Sequence, residues 1–179
     1  IGTIAYSANG RGKLDISTDR PIIELALHTQ VRATFAAGTG VVCPGTPHNV
    51  IKEINLKGSR LDTEDNIVRV TGGNGIAGRS MYDLATMYKG APPERTAADG
   101  TSTSAQDLES LVPLMFDGKS LRVSDRWQDQ CMIPAPFYST LTLSLDFGNF
   151  STVGNINGLL SSGTTVSATT GYGGTGVEQ

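Results

Sequence analysis

The chain has 179 residues, enough for one domain with a substantial core, and its net charge is −3. That balance excludes the basic face that nucleic-acid binding needs, and no run of about 18 apolar residues marks a membrane span. Charged residues make up only 17%, so the polar surface must come from Ser, Thr, Asn and Gly, a composition suited to packing against copies of itself.

The start lacks the basic and apolar regions of a signal peptide, and the missing initial Met leaves a removed leader open. Tyr6–Lys13 reads as a loop or loose hairpin, with Asn9-Gly10 as the turn signal. Pro21 opens the clearest segment. Ile23, Leu25, Leu27, Val31, Ala33 and Phe35 share one parity, and Glu24, His28, Gln30, Arg32 and Thr34 the other. Period two over this length predicts a long strand with one buried and one wet face, unlike a core strand of a parallel sheet. Ala36–Gly40 ends it. Val50, Ile54 and Leu56 predict a second strand after Pro44–Pro47 that closes at Lys57-Gly58, and Ile67–Val70 a short third.

Met81, Leu84, Ala85 and Tyr88 then fall at i, i+3, i+4 and i+7, one face of a short helix over Arg79–Tyr88, stopped by Gly90–Pro93. Glu94–Ser104 reads as an exposed loop. Leu108, Val112, Leu114 and Phe116 alternate again, with Pro113 pushing the strand toward a sheet edge. Asp117-Gly118 signals a hairpin with Leu121–Val123 as its return. Met132–Pro134 is short and apolar. Phe137, Leu141, Leu143, Leu145 and Phe147 alternate with Tyr138, Thr140, Thr142, Ser144 and Asp146, the second strong strand. From Ser151 the chain is rich in Gly, Ser and Thr, with a last edge strand at Thr164–Thr170 and a mobile tail at Gly171–Gln179. The pattern predicts an all-β fold, an antiparallel jelly-roll β-sandwich with one short helix. Its organisation is an N-terminal arm at 1–18, the jelly roll at 19–150, and a Gly/Ser/Thr-rich C-terminal segment at 151–179.

Gly73-x-Gly75-x-x-Gly78, between the third strand and the helix, matches the dinucleotide-binding fingerprint. The context does not. The strands alternate, the helix ends at Pro92-Pro93, and Asp99, near the spacing of a ribose-binding acid, lies in a polar loop. Gly72, Gly73, Gly75 and Gly78 instead suit a corner needing positive φ. Gly118-Lys119-Ser120 lacks the upstream glycine of a phosphate loop, because Pro113 occupies that position. Cys43 and His48 do not make a zinc site, and Asp62, Glu64 and Asp65 lack the regular spacing of a calcium loop. His28 sits on a wet face. Cys43 and Cys131 read as buried thiols, with a bridge between them left open. No catalytic, cofactor-binding or metal-binding residue is assigned, and no small-molecule substrate or enzyme activity is expected.

One resemblance organises these elements. In order stand DRPIIELALHTQVRATF, a Gly-rich gap, PHNVIKEINLKG, NIVRVTGG, the helix RSMYDLATMYKG, and late in the chain PAPFYSTLTLSLDFG. This sequence resembles the vertical jelly-roll major capsid proteins of tailless icosahedral double-stranded DNA viruses, the lineage of adenovirus hexon and of membrane-containing phage coats. Pro47, Asn49, Val50, Ile51 and Ile54 resemble that family's P-x-N-hydrophobic-I-x-x-I strand. The resemblance covers most of Asp19–Gly148 and lies in strand order and spacing.

The length accommodates one jelly roll and so resembles the single-jelly-roll branch. The resemblance implies a structural coat protein, located in the virion and assembled in the host cytoplasm. Its partners would be copies of itself and a second capsid protein, with contact to an internal viral membrane left open. The terminal segments would act as arms. Two other readings stand beside it. A carbohydrate-binding jelly roll would use Trp127 and Tyr138 as a sugar platform. A cupin-type enzyme would need a histidine cluster, and the chain has only His28 and His48.

Overall fold

The computed structural model describes residues 2–22, 24–33, 41–42, 46–61, 63–71, 75–95, 106–114, 132–150, 156–158, 160–162 and 172–178. Eight of its strands carry the architecture: β1 (Gly2–Ile4), β2 (Arg11–Ile16), β3 (Leu25–Ala33), β5 (Ile51–Arg60), β6 (Thr63–Thr71), β8 (Gln106–Leu114), β9 (Thr140–Phe147) and β11 (Tyr172–Glu178). Three further strands, β4 (Val41–Val42), β7 (Glu94–Arg95) and β10 (Leu160–Ser162), stand beside two helices, α1 (Thr46–Asn49) and α2 (Ala77–Lys89). One sheet runs β1-β11-β3-β8-β7, the second β2-β9-β5-β6, and β10 pairs with β4.

The pairing has a simple origin. Counted consecutively, the eight long strands stand 1-8-3-6 in one sheet and 2-7-4-5 in the other. The pairs 1–8, 2–7, 3–6 and 4–5 are those of one long hairpin, and all are antiparallel. Such a hairpin, rolled so that alternate pairs fall into opposite sheets, is a jelly roll.

Alternation places the core between the sheets. From β3 and β8 come Leu25, Leu27, Val31, Leu108, Val112 and Leu114, all buried. From the other sheet come Ile16, Ile54, Leu56, Val68, Leu141, Leu143, Leu145 and Phe147. At roughly 25 cal/mol per Å² these side chains dominate the stabilisation. Thr29 and Ser110 occupy the same inward face opposite each other. Their hydroxyls lie 2.6 Å apart, and Thr29 Oγ1 also donates to the Ser110 carbonyl at 3.0 Å, so neither is orphaned. Pro113 fits because of its register. Leu111 N donates to Pro93 O, away from β3, and Pro113 two residues on turns its nitrogen to that same side, beyond the two residues of β7. No bond to β3 is lost.

Several elements differ from the sequence reading. The second strand does not close at Lys57-Gly58 but runs to Arg60, and the third begins at Thr63, so the two form one hairpin. Gly58 interrupts nothing, because the Tyr138 ring lies over it where a Cβ would stand. Before that strand, Thr46–Asn49 is a helical turn. Tyr6–Lys13 is no hairpin: β1 and β2 lie in opposite sheets, and the chain crosses between them through Asn9, whose φ is 54°. Segment 1–18, read as an arm, supplies those two strands. Tyr172–Glu178, read as tail, lies between β1 and β3. Glu94–Arg95, read as loop, caps part of β8. Leu121–Val123 and Thr164–Thr170 lie outside the described residues.

The helix begins two residues before Arg79 and ends at Gly90, whose φ of 89° only glycine adopts readily. It packs on β5 of one sheet and β8 of the other, closing one open side of the sandwich with Ala77, Met81, Tyr82 and Ala85.

Candidate assembly surfaces

The outer face of β2-β9-β5-β6 is polar throughout, and its register sets out four rows. Arg11, Asp146, Glu53 and Thr71 form the first; Lys13, Ser144, Asn55 and Arg69 the second; Asp15, Thr142, Lys57 and Asn66 the third; Thr140, Ser59 and Glu64 the last. The short Thr140, Thr142 and Ser144 of β9, flanked by longer side chains on β2, β5 and β6, leave a trough of about 430 Å³. Its charges are balanced by cross-strand partners. Arg11 grips Asp146 through two nitrogens, one of them 2.7 Å from Oδ2. Lys57 reaches Glu64 at 3.0 Å, Arg69 lies 3.5 Å from Glu53, and Thr142 donates to Asp15 at 2.7 Å. The Arg11 hydrogen bond holds the Asp146 carboxyl below its usual range, and Asp146 in turn raises Arg11.

The outer face of β3 and β8 follows the same rule. Arg32 stands 3.6 Å from Asp107 and His28 3.8 Å from Glu109. Both faces set opposite charges against each other across strands. The sandwich ends are different. Where β5 turns into β6, Leu61 is 89% exposed with φ 51°, and Phe137, 68% exposed, projects from the 3-10 turn that Ser139 pins to Ser59. The opposite end is sealed by Tyr6 against Phe147 and Phe150, with the Tyr6 hydroxyl donating to Gly148 O at 3.0 Å.

The residues singled out from sequence scatter over this frame. Gly75 has φ 69° and so serves the corner, but Gly78 lies inside α2, where its bare Cα lets the His48 carbonyl approach. The antiparallel sheets supply no crossover for a dinucleotide. Instead Asn157, which no sequence pattern marked, fills the corner: its Nδ2 donates to Asn49 O and Gly75 O, both at 2.7 Å. His28 pairs with Glu109, and His48 stacks on Tyr82 far from it in the chain. Glu64 belongs to Lys57. Tyr138 lies over Gly58 and packs, half-buried, against the core. Gly72, Gly73, Asp62, Asp99, Gly118–Ser120, Trp127, Cys43 and Cys131 lie outside the described residues.

No protein-family profile matches the chain, and no curated protein sequence does. Solved structures do match. The STIV MCP, a major capsid protein, aligns over 83% of this chain with a TM-score of 0.57 and 16% identity. A chain of the atomic structure of Sulfolobus Turreted Icosahedral Virus aligns over 92% with a TM-score of 0.58, again at 16% identity. The fold is an antiparallel jelly roll, the fold of those capsid proteins. The jelly roll spans 40% of the length of either solved chain.

Proposed function

We propose that this jelly roll is a structural coat protein that associates with copies of itself, and with a second coat protein, into an icosahedral shell. The observation that carries the reading is the jelly-roll fold, wrapped 1-8-3-6 and 2-7-4-5 in this chain, which superposes on capsid chains of an icosahedral virus. Charge-paired faces favour the role, since many weak, equivalent contacts close a shell while leaving misplaced subunits free to leave. In this reading the protein resides in the virion, is assembled in the host cytoplasm, and performs no catalysis. The exposed Leu61 and Phe137 end supports contact with another surface, an internal viral membrane among them.

Multi-angle light scattering over a concentration and salt series, followed by negative-stain microscopy, tests the proposal. Regular oligomers, sheets or shells are expected, alone or with a companion coat protein. A monomer at every concentration, unchanged by co-expression with that companion, would count against it.

A further inference from the structure

The two helices meet through one aromatic contact. His48, near the end of α1, is 1% exposed, and its ring lies flat on Tyr82 of α2 with centroids 4.2 Å apart and planes within 9°. Its carbonyl faces Gly78, where a Cβ would collide. Its Nδ1 is buried and has no hydrogen-bond partner among the described residues. The linkage continues outward, because the Tyr82 hydroxyl donates to Pro92 O at 3.0 Å, just before β7. One stack therefore joins α1, α2 and the β7 edge.

The charges around this stack leave the ring without a carboxylate partner among the described residues. On α2, Arg79 bears on His48 and is itself 3.5 Å from Asp83. Glu94 acts on the Tyr82 hydroxyl, which burial first and Glu94 second push up to about 12. β3 and β8 also pack on α1. Their charged side chains, His28, Arg32, Asp107 and Glu109, pair with one another on the outer face, while Leu108, Ser110 and Val112 face inward. On β5, Lys52 lies along Gly75. Burial, and then Arg79, hold His48 down to about 4 from an ordinary 6.5.

We propose that the His48–Tyr82 stack is an acid-operated latch: it holds α2 across the two sheets at neutral pH and releases it in acid. Protonation would place a second cation beside Arg79 in a dry site, and the released helix would expose the apolar face of Ala77, Met81 and Ala85. The direction follows from linkage. The folded value lies below the unfolded one, so the unlatched state binds the proton first as pH falls. Latching is complete above 6.5 and is lost progressively toward 4. At pH 4.5 the opening equilibrium should exceed its neutral value by roughly 60-fold. The latch belongs to the single subunit and does not depend on the coat reading.

Hydrogen exchange on the purified subunit decides it. After correction for intrinsic rates, α2 amides should open roughly 60-fold more at pH 4.5 than at pH 7, with β9 amides changing far less. His48→Phe keeps a stacked ring that cannot titrate, and should abolish the rise. Equal protection of α2 at both pH values, or the same rise in His48→Phe, would overturn the proposal. If His48→Phe does not fold, Arg79→Gln provides the second arm: with the repulsion removed the rise should shrink, and an unchanged rise would refute the latch.

Discussion

Both amide protons of Asn157 go to carbonyls, those of Asn49 and Gly75, and its side chain packs where a Cβ on Gly148 would stand. One residue thereby joins α1, the glycine corner and the end of β9. Asn157→Ala leaves two carbonyls without a donor, and a loss of about 2–3 kcal/mol is expected, lowering Tm by roughly 5–10 °C in a thermal circular-dichroism scan. Thr29 and Ser110 provide a second test. Thr29→Val alone deprives the buried Ser110 hydroxyl of its partner and should cost about 1–3 kcal/mol, whereas Thr29→Val with Ser110→Ala should recover most of that loss in denaturant unfolding. Neither site was legible in the sequence, for different reasons. Thr29 lies on the buried parity of β3, but its partner is 81 residues away and known only from the register. Asn157 stands in a Gly-rich stretch where nothing in the pattern distinguishes an anchor from a linker.

At the scale of the element, glycine gave the misleading signals. Gly58 looks like the end of a strand and Gly78 like part of a loop, yet each is a contact surface. Helix propensity alone says that Gly78→Ala should stabilise α2 by about 1 kcal/mol. The added methyl would meet the His48 carbonyl, which is backbone and cannot swing aside, so net destabilisation by about 1–3 kcal/mol is expected in urea unfolding. Gly58→Val should displace Tyr138 from the core and raise its exposure to quenchers. What the sequence did make plain were the long elements whose period is undisturbed. β3 and, from Thr140, β9 follow from strict alternation, and α2 from Met81, Leu84, Ala85 and Tyr88; Phe137, read into the same strand as β9, instead ends a 3-10 turn and is exposed. Pro113, read as the mark of a sheet edge, stands one strand in from it: β7 pairs with part of β8, and the proline removes a donor on that side beyond the two residues of β7.

For the molecule as a whole, the jelly roll was legible from strand count, alternation and order, but its closure was not. The closing strand β11 reads YGGTGVE, a composition poor in strand formers. It is a strand because β1 and β3 flank it on both sides, and tertiary pairing outweighs local preference. Removing 172–178 should therefore do more than trim an end. It opens the edges of β1 and β3, and the shortened protein is expected to aggregate or lose native near-ultraviolet dichroism. The position of β11 also imposes a schedule on synthesis. About 140 residues separate it from β3, so a ribosome working at 5–20 residues per second needs roughly 7–28 s to deliver it after β3 is complete. During that interval β3 shows an unpaired border that resembles what a neighbouring nascent chain also shows. On crowded polysomes the hazard is exchange of strands between unfinished copies, and slower translation of the stretch before β11 would lengthen it.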